Sequence, residues 1–292
     1  MKKTLLFVVA VVCVASAMAQ DAPKDTSYWK KSGSTSLTFG QTSFTNWAAG
    51  GNNSVSVLAS FAGKLGYEKG LWMWDNSVDL GYGLSYQGSE QIKNDDHIDL
   101  ATRLGYKASS LWAYAAELSF KSQFYDGYSK YPVESGAKYI SKFMAPGYLI
   151  GSIGMSYTHP KEDFKVLLSV SEKMTFVSDR RLSDEGAYGV DPGKKVFAEF
   201  GALAKATYSK KFTENVLLGT ELLLTSAYQT FGNVDVDWKL SLDWKLNKYF
   251  TFKANTYLLY DDDIKFIDKD GTKKGPRVQF KEVIGLGFGY IF

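Results

Sequence analysis

Between residues 234 and 246 the chain reads VDVDWKLSLDWKL, a strict alternation. Val234, Val236, Trp238, Leu240, Leu242, Trp244 and Leu246 fall on one parity; Asp235, Asp237, Lys239, Ser241, Asp243 and Lys245 fall on the other. Successive side chains of a strand point to opposite faces, so this segment has one apolar face and one charged face. A helix would scatter the same charges round its surface. The C-terminal run KEVIGLGFGYIF behaves alike: Ile284, Leu286, Phe288, Tyr290 and Phe292 share a face, and Gly285, Gly287 and Gly289 share the other. Twelve such segments can be marked, near 34–44, 54–67, 71–87, 96–108, 111–125, 147–158, 164–177, 195–208, 216–229, 234–246, 250–260 and 278–292. Strands of globular proteins are usually about 5 or 6 residues long. Tilted strands that cross a membrane need about 9 to 11 for the hydrocarbon alone.

The connections carry a second signal. Every other one is short: 68–70, 109–110, 159–163, 209–215 and 247–249. Most of the others are longer: 46–53, 88–95, 126–146, 178–194 and 261–277, with only 230–232 short on that side. Short periplasmic turns alternating with long outer loops are the pattern of an outer-membrane barrel. The expectation is an all-β protein, one antiparallel transmembrane β-barrel of about 12 strands over residues 34–292. An even strand count places both termini in the periplasm, with residues 20–33 as a periplasmic N-terminal segment.

Aromatic residues sharpen this picture. Tyr67, Trp72, Trp74, Tyr106, Trp112, Phe164, Tyr208, Trp244, Phe250 and Phe292 fall near the short-turn ends of the apolar parity. Tyr86, Phe124, Phe176, Tyr228 and Tyr260 recur towards the loop ends. Two such bands match the aromatic girdles at membrane interfaces. Closure of the sheet leaves no backbone edge unpaired in lipid, which a sandwich would not achieve.

The N-terminus fits export. Lys2 and Lys3 precede an apolar run from Leu5 to Val14, and Ala17-Met18-Ala19 is a small-x-small cleavage signal. Residues 1–19 therefore read as a signal peptide cut after Ala19. Cys13, the only cysteine, lies inside the apolar run, so the mature chain has no disulfide framework and no cysteine-based metal site. Loss of Lys2 and Lys3 lowers the formal charge from +3 to +1, which offers nucleic acid no electrostatic attraction. The partners expected are outer-membrane lipid and either small polar solutes or other envelope proteins.

The polar parity should line the bore, and it is close to charge balance. Lumen-facing candidates are Arg103, Lys121, Lys173, Glu199, Glu221, Asp237, Lys239 and Asp243, with Lys205, Lys253, Lys281, Asp75, Asp79, Asp99, Glu117 and Asp235 among their neighbours. A 12-stranded bore is wider than one filled by simple packing and narrower than a large porin. Such charges either pair and plug the bore or line a narrow polar path. A channel for small polar solutes is the leading expectation, and a plugged structural or assembly-partner barrel is the alternative.

Catalytic chemistry has little to stand on. His159 lies in the turn THPKED and reads as a surface residue. His97 in NDDHIDL has Asp95, Asp96 and Asp99 beside it, a setting in which an imidazole can activate water. No serine nucleophile stands at a supporting spacing, so a surface hydrolase is the least favoured reading. The loop DDDIKFIDKDGTKKG at 261–275 has carboxylates for a hard cation but lacks the spaced ligand set of a calcium loop, and its lysines offset the charge. No catalytic residue, cofactor site or metal site is therefore assigned. SDRRLSDEG at 178–186 reads as an exposed charged loop.

The stretch SFTNWAAGGNNSVSV, residues 43–57, joins two strands, so its glycines do not open onto a helix N-terminus that could hold phosphate. Trp29-Lys30, the following strand, and Thr45, Asn46, Trp47, Ala48, Gly50, Gly51 and Asn53 together resemble the start of an uncharacterised family of Bacteroidetes outer-membrane proteins. The resemblance implies a barrel of unknown function over nearly the whole mature chain. It transfers no ligand or catalytic role.

Overall fold

The computed structural model describes residues 28–42, 54–87, 90–128, 133, 136–264 and 275–291. Residues 1–27, with the expected signal peptide, residues 43–53 with the Thr45–Asn53 motif, Phe292 and most of the 261–275 loop lie outside the described residues. Twelve strands close into one antiparallel barrel: β1 (Trp29–Thr42), β2 (Ser54–Lys69), β3 (Trp72–Gln87), β4 (Glu90–Lys107), β5 (Trp112–Ser122), β8 (Gly147–Thr158), β9 (Asp163–Phe176), β10 (Val196–Thr213), β11 (Val216–Ala227), β12 (Asp235–Lys245), β13 (Phe250–Tyr260) and β14 (Gln279–Ile291). Each pairs with its sequence neighbours in the ring, and β1 closes on β14 with Leu37 opposite Phe288. A two-stranded hairpin, β6 (Gly127–Tyr128) and β7 (Tyr139–Ser141), stands between β5 and β8.

Two expected boundaries are corrected. β1 begins at Trp29, so residues 29–33 belong to the barrel and not to an N-terminal segment. Their partners explain it: Trp29 stands opposite Tyr67 in register, and Ser32 opposite Lys64. β4 begins at Glu90, so only residues 88–89 separate β3 from β4 where a loop to residue 95 was expected. The register shifts beside Gly83 and Leu84, leaving Asn94 unpaired in a bulge. A bulge inverts the alternation on one side of it, which hides a strand from a period-2 reading.

The outward face is apolar. Ile153 is 69% exposed and Phe280 63%, and Leu104, Leu168, Phe200 and Ile284 are exposed beside them. A water-soluble surface does not carry so much contiguous apolar area. Two indoles on this face find their acceptors within it. Trp74 donates to Thr102 at 2.8 Å, Thr102 donates to Asn76 at 2.8 Å, and Trp238 donates to Thr220 at 2.9 Å. Aromatic pairs run round the short-turn end: Trp29–Tyr67, Trp72–Tyr106, Trp112–Tyr157, Phe164–Tyr208 and Phe250–Phe288, with centroids 4.8 to 6.4 Å apart. At the C-terminal seam, a Cβ on Gly285 would collide with the Thr38 side chain, and one on Gly289 with the Thr35 carbonyl. The inward glycines of β14 thus let it close on β1.

Candidate functional site: a bore crossed by ion pairs

The polar parity faces inward, and its charges meet across the bore. Lys239 on β12 bonds Asp99 on β4, six places round the ring and so diametrically opposite. Lys121 on β5 bonds Asp237 on β12. Lys281 on β14 reaches Asp95 on β4 at 2.7 Å. Lys205 on β10 bonds Glu117 on β5 at 2.7 Å and lies 3.8 Å from Glu221. Towards the long-loop end Lys173 gathers Asp235 at 2.8 Å, Asp261 at 3.1 Å and Glu199 at 3.5 Å.

These bonds constrain the shape of the barrel. Twelve strands about 4.8 Å apart and tilted by about 40° would enclose a circle about 24 Å across, backbone to backbone. A lysine reaches about 6 Å from its Cα and an aspartate about 3.5 Å, so with a bond of about 3 Å between them the walls stand within about 13 Å. The bore at Asp99 and Lys239 is therefore flattened to little more than half the circular width. Two opposing walls are drawn together there, near the spacing of two packed sheets.

The candidate residues divide accordingly. Lys121, Lys173, Glu199, Glu221, Asp237 and Lys239 take part in ion pairs that link strands not adjacent in the barrel or lie beside them. Arg103 pairs with Asp75 on the adjoining strand at 2.9 Å, so it lines one wall and does not bridge. Asp243 stands opposite Lys253 in the register of β12 and β13, below this lattice. Lys253 donates across the seam to Ser36 at 3.2 Å.

Two features were missed in the sequence. Tyr257 donates its hydroxyl to Asp237 at 3.0 Å, and Lys239 lies 5.8 Å from the Tyr257 ring centroid. Its parity with Lys253 was the available signal. The second feature is an apolar cluster among the inward positions. Ala115, Leu167 and Leu203 are buried on the inner face and pack with Ile150 and Leu223. Around them the inward positions are small and hydroxylic: Ala113, Ser152, Ser156, Ser171 and Thr175 are all buried. Small side chains let the walls approach, and the apolar cluster fills what they leave.

Both histidines are accounted for by local bonds. Nδ1 of His97 lies 3.0 Å from Asp95, and Nε2 lies 3.5 Å from Asp79. Both ring nitrogens thus face carboxylates on the inner wall. Asp96 points the other way, taking Lys93 at 2.7 Å and the amides of Phe124 and Tyr125 at 2.7 and 2.9 Å. Nδ1 of His159 accepts the amides of Lys161 and Glu162, which closes the turn between β8 and β9. Among the described residues no group of His, Cys, Asp and Glu is arranged to hold a metal ion.

At the long-loop end the connections fold on one another. The short helix α1 (Arg180–Asp184) is capped by Asp179, which accepts the Leu182 amide at 3.0 Å, the Tyr139 hydroxyl at 2.8 Å and Lys142 at 3.3 Å. Desolvation opposes ionisation of Asp179, but these donors outweigh it and hold the carboxyl below its ordinary value. Ala145, Val177, Leu182 and Val190 form a small core beneath. Asn233 joins Asp262 at 2.6 Å, so the connection after β13 is tied to the one before β12. The segment 178–186, expected as a plain exposed loop, is thus part of a folded rim.

A family model described as "Protein of unknown function (DUF3078)" matches residues 39–128, from the end of β1 through β6. No protein with a curated description matches the chain. Among solved structures, the NanC porin is 9% identical, with 88% of this chain and 98% of that one covered and a TM-score of 0.38. An outer membrane channel from Pseudomonas putida F1 is 9% identical over 94% and 100% of the two chains, TM-score 0.38. The translocator domain of the autotransporter NalP from Neisseria meningitidis is 12% identical over 99% and 96%, TM-score 0.31. The barrel assignment rests on the strand pairing of this chain itself.

Proposed function

We propose that this chain is an outer-membrane β-barrel of the channel kind whose bore stands closed, and whose path, when open, admits small polar solutes. Its apolar belt meets outer-membrane lipid, and its short turns and both termini lie in the periplasm. The observation that carries this reading is the pairing of Lys239 with Asp99 across the full ring, with Lys121 and Asp237 beside it. The closure is made by side chains of the walls, and lysines can swing aside without unfolding a strand. A second reading, a plugged scaffold that binds another envelope component, is favoured by the apolar cluster of Leu167 and Leu203 inside the bore.

Planar-bilayer recording separates the two. The wild type should show rare, brief openings, and Lys121→Gln combined with Lys239→Gln should open far more often. A wild type that conducts steadily would refute the closed bore. Folded wild type and folded variant that both stay silent would refute the channel and leave the scaffold.

A further inference from the structure

The two central bridges form a square of alternating charge. Asp99 and Lys121 are direct register partners on β4 and β5. Asp237 and Lys239 sit two residues apart on β12, on the same face of that strand. Across the bore Lys121 meets Asp237, and Asp99 meets Lys239. Each wall therefore presents one carboxylate and one ammonium side by side, and each finds its opposite on the other wall.

This arrangement decides what can part it. A simple anion that displaces Asp237 from Lys121 leaves Asp237 facing the bore without that partner, and a simple cation leaves a lysine in the same position. Neutral solutes replace neither charge. A solute carrying both an ammonium and a carboxylate replaces both partners of one wall at once: its ammonium takes Asp99 while its carboxylate takes Lys121, and the two groups it displaces, Asp237 and Lys239, stand side by side on β12 with opposite charges. Register partners in an antiparallel pair stand about 5 Å apart, a spacing that a small amino-acid-like molecule can span. We infer that the bore is selective for small zwitterions, with Asp99, Lys121, Asp237 and Lys239 as the specificity-determining residues. The inference rests on the channel reading above and adds the solute class.

The test is solute entry into liposomes holding the purified barrel, with glycine and β-alanine against acetate, methylammonium and glycerol. Wild type should pass the zwitterions at least about tenfold faster than the others. A variant with Asp99→Asn, Lys121→Gln, Asp237→Asn and Lys239→Gln should pass all of them with little preference. A second variant that exchanges the charges, with Asp99→Lys, Lys121→Asp, Asp237→Lys and Lys239→Asp, keeps the square and should keep the preference. Wild type that passes glycerol as fast as glycine overturns the inference while leaving the channel intact. So does a neutralised variant that still prefers zwitterions. If neither folded wild type nor folded neutralised variant passes any solute, the channel reading itself fails and the inference with it.

Discussion

Removing Lys239 should loosen the flattened bore by a measurable amount. Its ammonium holds Asp99 from the diametrically opposite wall, and the two side chains are 33% and 19% exposed. Breaking a fully buried pair costs roughly 3 to 5 kcal/mol, because one charge is left without a partner. Here two circumstances reduce that figure. The groups are partly solvated, which screens them. Asp99 also keeps Lys121 beside it in register. About 2 kcal/mol for Lys239→Met is then the reasonable expectation, and somewhat less for Asp99→Asn, since Lys239 retains the Tyr257 ring. The double variant should cost less than the sum, with a coupling energy of about 1 to 2 kcal/mol. Urea unfolding of the barrel in lipid vesicles, followed by tryptophan fluorescence, yields all three values. A coupling below about 0.5 kcal/mol would refute the claim that this pair draws the walls together, because an additive result is what two independent solvated charges give.

Other expectations test the remaining parts of the structure. Ile153→Lys puts a charge on the outward belt where the side chain is most exposed and should cost about 2 to 4 kcal/mol in vesicles; a neutral result would remove that position from lipid. Leu203→Ala, in the apolar cluster of the bore, should lose about 2 to 4 kcal/mol and raise solute leak through folded protein, whereas an unchanged stability would show that the cluster is not packed. Asp179→Ala removes the cap of α1 and two further bonds, so proteolysis between residues 139 and 190 should become faster without change in global stability. Because the folded carboxyl of Asp179 lies below its ordinary value, its contribution is complete above about pH 4 and is lost as pH falls further; hydrogen exchange in the rim should rise over that acid range and not on the alkaline side.

Why was so much of the barrel legible, and so little of the bonding across its bore? Each strand of a membrane barrel divides two opposed environments, so a period-2 pattern persists over a dozen residues, as in Asp235–Lys245. That pattern places a residue on a face and a strand beside its sequence neighbour. It holds no information about the strand six places away. The pairing of Lys239 with Asp99 joins positions 140 residues apart and depends on how far the ring flattens. Flattening in turn depends on Ser152, Ser171 and Ala115, whose small size on the inner face looks unremarkable in a one-dimensional reading. The pattern also failed where both parities are apolar. In β11 Leu217 and Leu223 point inward while Leu218, Leu222 and Leu224 point outward, so alternation cannot tell bore from belt. The rim was lost for another reason: Asp179 comes from the connection after β9, Tyr139 and Lys142 from the one after β5, and they acquire meaning only as one hydrogen-bonded cluster.

The same charges serve the chain before it is a barrel. The mean hydropathy of the chain is only −0.19, because most of its apolar faces are interleaved with polar ones. In water the lysines and carboxylates are solvated and give little in pairing with each other. Once the sheet curls, their only solvent is what the narrowing bore retains, and the alternative to pairing becomes an unpaired charge in low dielectric. Each cross-bore bond therefore strengthens as closure proceeds. Lys281 with Asp95 spans 186 residues, and Lys239 with Asp99 spans 140. Partners so distant reward only the assembled ring, since neither bond can form in an isolated hairpin. Neutralising both pairs should therefore slow closure of the barrel in vesicles more than it slows formation of its hairpins. That difference follows from the separation of the partners along the chain, and a charge placed elsewhere on the inner wall, such as Asp243, should not reproduce it.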